Sequence, residues 1–372
     1  MNLIENTKLL GTELNIVGII GKNGKSTIGQ MVHHCHLALK ADSNSKISTE
    51  ILNEMLPQNY EKIAKNVIME VALHSIKEKK ASYIDFDNLI FTNSSKNIDT
   101  DELWTMMRPF IALPIEKTAI INIDDEHGIN FCDMTVAKTL TYGLNKTADI
   151  NARNIKLAIN KTKFDLYHKE NFICKTKIPY FGIYNIYNAL ATIAHFTAND
   201  YNPAKIAQLL ENLPQTEGRF DTFSTNTGIK VIIDYARTPE AVDAVLKSLA
   251  TIGQKNIITV IGADGNTNTA GRIAIGKSVL THSQKVILTT DNPRSEEPQS
   301  IIYDMIKHNI KQNYRICIDR EKAIEIALKA AKPKDIVIIL GKGHEKTQII
   351  GKKTSVFCDK KTAKYLAHKL EI

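Results

Sequence analysis

Short, uninterrupted apolar stretches recur along the chain between segments of helical period. They fall at residues 14–20 (LNIVGII), 66–72 (NVIMEVA), 88–93 (NLIFTN) and 118–124 (TAIINID). A second set follows at 230–236, 256–263, 285–292, 314–319 and 335–344. These runs are of strand length, rich in Ile and Val, and without polar alternation, which predicts parallel sheets covered on both faces. Several end in Gly, Asp, Asn or Thr, and open α/β sheets place their ligands at such strand ends. Between the two sets, residues 154–182 alternate polar and apolar positions, as antiparallel strands attached to the first domain would. Helical period follows in NIYNALATIAHFTAND and PAKIAQLLENL, and LPQTEG (213–218) reads as a boundary. The pattern predicts an α/β chain in two domains, one over 1–215 with a mostly parallel sheet, then a Rossmann-like one over 216–372.

Composition adds limits. The 372 residues are 43% hydrophobic and 24% charged, which suits folded domains with proper cores. The net charge of +8 is scattered, and aromatic residues are few (6%), so no basic-aromatic strip suggests nucleic acid; an acidic small molecule suits the charge equally well. Five separated cysteines, with no CxxC pair, fit a reducing cytoplasmic setting. No apolar run is long enough for a membrane span, and the first residues lack the pattern of an export signal.

The chemistry begins where the first strand stops. GKNGKST (21–27) sits between a strand and a helix, the context in which backbone N–H groups and a lysine cradle phosphates. Its G-x-x-G-K-S spacing is shorter than the usual P-loop, and a plain turn with a solvated Lys25 is the alternative. Glu70 closes an apolar strand, where a lone carboxylate is costly unless it meets a cation; an N-cap or salt-bridge role is the alternative. His33, His34, Cys35 and His36 are adjacent on a helix, so they point to different sides and cannot converge on one metal ion.

Taken in order, these segments resemble one family, the ATP-dependent Mur ligases, and among them the MurE type. GKNGKST resembles G-T-N-G-K-[TS]-T. MEVALH (69–74) and FDNLIFTN (86–93) resemble E-V-S-S-H and F-D-x-x-x-F-T-N. INIDDEHG (121–128) is similar to N-x-D-D, and GIYNIYNALA (182–191) to G-x-F-N-x-x-N-A. EGRF followed by DYARTP (234–239) resembles P-G-R-M and D-Y-A-H-T-P. TTDNPRSEEP (289–298) and GKGHEKTQII (341–350) complete the set.

The resemblance implies an amide ligase that activates a carboxylate with ATP and Mg²⁺ and lets an amino acid attack it. It implies phosphate contacts from Gly21, Asn23, Gly24, Lys25, Ser26 and Thr27, with Ser26 and Glu70 as metal ligands. Asn185 and Asn188 would face the adenine, Arg219 the phosphates, and Asp234 the ribose or an interdomain contact. For the asparagines alone, helix capping is the alternative. Asp291, Asn292, Arg294, Gly341 and Glu345 would hold a diaminopimelate-like or basic amino acid, a guanidinium taking its carboxylate; by spacing alone DNPR reads as a Pro turn. Lys80 and His74 are assigned to the acceptor side, His74 as a histidine either packed in the core or supporting a neighbouring ligand residue.

Departures from the family pattern are equally plain. The phosphate loop begins at Gly21, so a uridine-nucleotide domain ahead of it is expected to be missing. The expected acceptor is therefore one without UDP, or one presented by a protein partner, as in family branches such as the folylpolyglutamate synthetases. Ala72 and Leu73 replace two serines, Ile98 a histidine, Arg237 the histidine of D-Y-A-H, and Thr267 an arginine; Arg272 is retained. Arg108 lies nearest the family's carbamylated lysine and is the candidate for a fixed catalytic cation. A non-catalytic nucleotide-binding protein is the rival reading.

Overall fold

The computed structural model describes residues 15–39, 45–48, 66–79, 84–95, 98–254, 256–308 and 311–372. The chain forms two compact units, Met1–Leu213 and Pro214–Ile372.

Among the described residues, the first unit is built on a nine-stranded sheet. Its strands are β1 (Asn15–Ile20), β2 (Ser45–Ser48), β3 (Asn66–Glu70), β4 (Asn88–Phe91), β5 (Thr118–Asn122), β6 (Lys138–Gly143), β7 (Ile150–Ala158), β8 (Lys161–His168) and β9 (Asn171–Ile178). The order is β2-β3-β1-β4-β5-β6-β7-β8-β9, parallel from β2 through β7 and antiparallel across β7, β8 and β9. The apolar runs are continuous because both faces are covered. Val17, Ile19, Ile68, Ile90 and Ile120 pack toward α1 (Lys25–Ala38), α5 (Ile183–Ala198) and α6 (Pro203–Leu210). Their neighbours Ile16, Ile20, Val67, Met69, Leu89 and Phe91 pack toward α3 (Thr100–Ile111) and α4 (Gly128–Met134). A short helix, α2 (Leu73–Lys77), follows β3.

The second unit holds a six-stranded sheet, ordered β10-β11-β15-β12-β13-β14. These strands are β10 (Asp221–Ser224), β11 (Lys230–Asp234), β12 (Ile257–Ile261), β13 (Lys285–Leu288), β14 (Tyr314–Ile316) and β15 (Ile336–Leu340); only β10 runs antiparallel to its neighbour. Local signals start its helices. Thr238 caps α7 (Pro239–Thr251), accepting from the Ala241 N–H, with Pro239 in the first turn. Asp319 caps α10 (Arg320–Ala330) through the Lys322 N–H. The other two helices flanking the sheet are α8 (Thr269–His282) and α9 (Pro298–Ile306). A hairpin, β16 (Thr347–Ile350) and β17 (Lys353–Val356), and α11 (Asp359–Lys369) end the chain.

Among the described residues no helix is long and apolar enough to cross a membrane, and all five cysteines are free thiols.

Candidate active site

In the first unit the chain turns from β1 into α1 through Gly21–Gly24. Both glycines have positive φ (145° and 91°) and lie hard against neighbours. A side chain at 21 would collide with Thr92 Oγ1, and a Cβ at 24 would fall 2.6 Å from Asn188 Oδ1. The end of β4 fastens this loop. Asn93 Oδ1 accepts from the Asn23 N–H and Asn93 Nδ2 donates to the Asn23 carbonyl, each at 3.0 Å. Thr92 Oγ1 donates to the same carbonyl at 2.8 Å, and the Lys22 N–H donates to the Asn93 carbonyl at 2.9 Å. The expectation that the Asn23 N–H turns toward a phosphate is thereby corrected: it is held by Asn93.

The N–H groups that begin α1 are differently placed. Its first turn carries neither a capping side chain nor an acid, so its positive end is open. Lys25 folds back, its Nζ donating to the Gly21 carbonyl at 2.6 Å. Burial lowers its affinity for the proton, and the charge of Glu70 opposes that shift. Ser26 Oγ donates to Glu70 Oε2 at 2.8 Å, whereas Glu70 Oε1 is buried without a partner. A buried carboxylate oxygen left unpaired calls for a cation, and a hydroxyl with a carboxylate is the hard-oxygen donor set that suits Mg²⁺. Thr27 follows, half-buried.

Asn185 and Asn188 lie buried on α5. Asn185 Nδ2 donates to the Phe181 carbonyl at 2.8 Å, and Asn188 Nδ2 to Asn185 Oδ1 at 3.0 Å. Neither caps the helix, which begins at Gly182 without a side-chain cap; the capping alternative is removed. The N-x-D-D segment ties strand ends together: Asn122 Nδ2 donates to the Thr92 carbonyl at 2.7 Å, and Asp125 accepts from Ser94 N and Oγ at 2.8 and 2.9 Å.

His74 is exposed on α2, which corrects its reading as a packed histidine. Arg108 is exposed on α3, six residues beyond Glu102, the residue that pairs with Lys22 at 3.4 Å. Among the described residues its guanidinium meets no hydrogen-bond or ion-pair partner, so no contact brings it to the loop. Lys80 lies outside the described residues.

In the second unit two distant segments converge. Arg320, wholly buried, forks onto Asp359 (2.8 Å to each oxygen) and donates to the Thr290 and Leu340 carbonyls at 3.2 and 2.9 Å. It thereby joins the residues immediately before Asp291 and Gly341. Beyond them, Lys342 is also wholly buried, its Nζ 3.4 Å from Asp291 Oδ1, 3.1 Å from Asn292 Oδ1 and 3.0 Å from Glu345 Oε2. Asn292 Nδ2 donates to Glu345 Oε2 at 3.0 Å, and Gly341 packs against the Asp291 carboxylate. Burial pushes the Asp291 carboxyl up to about 6, against the charges of Arg320 and Lys342. Burial also acts upward on Glu345, but hydrogen bonds from Lys342 and Asn292 outweigh it and hold this carboxyl below its ordinary value.

Arg294 has φ 54°, fixed by the hairpin: its N–H donates to the Ile349 carbonyl at 3.3 Å and its carbonyl accepts from the Gly351 N–H at 2.6 Å. The side chain is left exposed. Arg219 and Arg237 both lie over the Tyr235 ring, 4.4 and 4.3 Å from its centre. Asp234 is buried and accepts from the Phe220 and Ala236 N–H groups at 2.6 and 2.8 Å, so it holds the turn that carries Arg219. Burial raises its carboxyl, opposed by Arg219 and those two N–H groups. Arg272 is buried, forked onto Glu296 at 2.7 and 2.6 Å and 3.1 Å from Asp304; its role is internal.

Sequence reasoning missed Lys342 and Asn93. The first stands between two glycines of GKGHE, the second at the end of FTN, and neither position carries a local signal of its contacts.

The comparisons with known proteins give the class first. Residues 19–196 match the Mur ligase middle domain, and residues 218–343 match the Mur ligase, glutamate ligase domain. A UDP-N-acetylmuramoyl-L-alanyl-D-glutamate–2,6-diaminopimelate ligase of Alkaliphilus oremlandii is 33% identical over 389 residues, spanning 96% of this chain and 78% of the relative. A solved structure of a ligase of that name aligns over 97% of this chain and 80% of its own, with a TM-score of 0.65 and 24% identity. The fold extends to a MurF ligase of Thermotoga maritima solved with ADP: TM-score 0.71, 17% identity, 90% and 77% of the two chains. The protein is thus an ATP-dependent, ADP-forming amide ligase. It belongs to the Mur ligase family, close to its MurE-type members. Relatives named as ligases of a UDP-linked acceptor lend no support to a non-UDP acceptor or to a non-catalytic shell.

Proposed function

We propose that this chain joins the amino group of 2,6-diaminopimelate, or a closely similar diamino acid, to UDP-N-acetylmuramoyl-L-alanyl-D-glutamate with ATP and Mg²⁺. The observation that carries the reading is the convergence of Asp291–Arg294 with Gly341–Glu345 around buried Lys342. That network presents a fixed carboxamide and carboxylate beside an exposed guanidinium, the complement of a zwitterionic amino-acid end. Arg294 takes the distal carboxylate, and Glu345 with Asn292 the ammonium.

In the first unit the open turn of α1 and Lys25 receive the triphosphate, which draws Lys25 off the Gly21 carbonyl. Ser26 and Glu70 hold Mg²⁺, which when bound neutralises phosphate charge; the unpaired Glu70 Oε1 supports this assignment. Asn185 and Asn188 serve the adenine side.

The test is direct. With ATP, Mg²⁺, the UDP-linked dipeptide acceptor and diaminopimelate, the protein releases ADP and phosphate and forms a product heavier by one diaminopimelyl residue. Lys25→Ala lowers kcat/KM by about 10²-fold or more, the scale of losing one preorganised charge-stabilising group. ATP binding without turnover across diamino acids would overturn the reading.

A further inference from the structure

Glu345 is not a free carboxylate. Lys342 and Asn292 take its Oε2, both at 3.0 Å. Its Oε1 lies 3.4 Å from Arg237 Nη1, and the same nitrogen lies 3.5 Å from Asp264 Oδ2. Arg237 therefore bridges two carboxylates, one from the turn after β12 and one from the turn after β15. Lys342 is wholly buried and fixed; Arg237 is 42% exposed, rests on the Tyr235 ring and is free to swing. Arg237 departs from the quoted D-Y-A-H motif, which has histidine there, and the fold sets this replacement against Asp264. Asp264 Oδ1, moreover, is buried without a partner, so the carboxylate has capacity left.

We propose that Arg237 sets amine specificity by occupying the side of Glu345 that an incoming ammonium needs. The inference rests on the reading of Glu345 as the amine anchor. An amine bearing only an ammonium at its distal end must expel the guanidinium and leave it with Asp264 alone. An amine whose distal ammonium is accompanied by a carboxylate gives the guanidinium a replacement partner as it leaves. Arg237 thus disfavours simple basic amino acids and favours those with a zwitterionic distal end. It acts on recognition through Glu345, so its signature is a change in amine affinity ratio.

The experiment measures the KM for diaminopimelate and the Ki for L-lysine as a competitor against it. In Arg237→Gln, lysine binds about two- to fivefold tighter and diaminopimelate weaker by a similar factor, the range of exposed ion pairs, so their ratio shifts roughly tenfold. Arg237→Lys, which keeps the cation, restores most of the ratio. Glu345→Gln weakens both amines. If Glu345→Gln does so while Arg237→Gln leaves the ratio unchanged, the Arg237 proposal is overturned and the anchor reading stands. If Glu345→Gln weakens neither amine, the anchor reading fails and the proposal goes with it.

Discussion

A lysine with no exposed surface is unusual, because its ammonium is normally left in water. Lys342 stays buried because three oxygens from Asp291, Asn292 and Glu345 replace that water. Removing one partner of such a group is costly, since the others remain desolvated and now repel each other. Lys342→Met should therefore raise the KM for diaminopimelate about tenfold or more, an effect of one lost charge-assisted hydrogen bond, while the KM for ATP holds. Because the Asp291 carboxyl already titrates near 6, the variant's amine KM should also become strongly pH-dependent around neutrality. Steady-state kinetics across mildly acidic to mildly basic pH check both points; equal changes in the two KM values would mean a general loss of structure. Lys342 was illegible in the sequence for a physical reason. Its burial depends on oxygens from the 291–292 turn, brought next to it only by the order of strands β13, β12 and β15.

At the scale of elements, the strands were legible because each parallel strand is sealed on two faces and must be apolar throughout. The runs at 14–20 and 230–236 became Asn15–Ile20 and Lys230–Asp234 with little change. Strand β6 was missed, since KTLTYG keeps partly exposed positions and lacks a sealed run. The phosphate loop was visible as G-x-x-G-K-S, but its support from β4 was not, because Asn93 lies 70 residues from its partner Asn23. That support yields a test. Asn93→Asp keeps the acceptor for the Asn23 N–H but sets a carboxylate oxygen against the Asn23 carbonyl, and adds negative charge beside the loop. Nucleotide affinity should fall about tenfold or more, an unmade buried hydrogen bond with repulsion added. Asn93→Ala should lose less, and amine KM should hold in both. Binding of a fluorescent ATP analogue reads the difference; a wild-type affinity in Asn93→Asp would dismiss the brace.

At the scale of the whole molecule, the two units carry buried titrating groups of opposite sign. In the first, His195 is wholly buried on α5 with Nδ1 unpartnered, and burial, helped by His36, lowers its pKa to about 3. An unfolded histidine titrates near 6.5, so below that pH the unfolded chain binds a proton that the folded unit refuses. Stability of this unit then falls as pH falls, by up to about 1.4 kcal/mol per pH unit between roughly 6.5 and 3. In the second unit Asp291 has the opposite sense. Its folded pKa of about 6 lies above the unfolded value of 3.8, so its contribution is present at low pH and is lost as pH rises through 6. Mild acid should therefore weaken the first unit while leaving the second less affected. The chain's only tryptophan, Trp104, sits on α3 of the first unit, so its fluorescence follows that unit alone. Between about pH 6.5 and 5 the urea midpoint seen by Trp104 should fall, and amide-exchange protection of β15 should hold or rise. His195→Gln should flatten the first response and Asp291→Asn the second, each without altering the other. A fall of both signals in parallel, unchanged by either substitution, would mean that neither buried group governs the acid response.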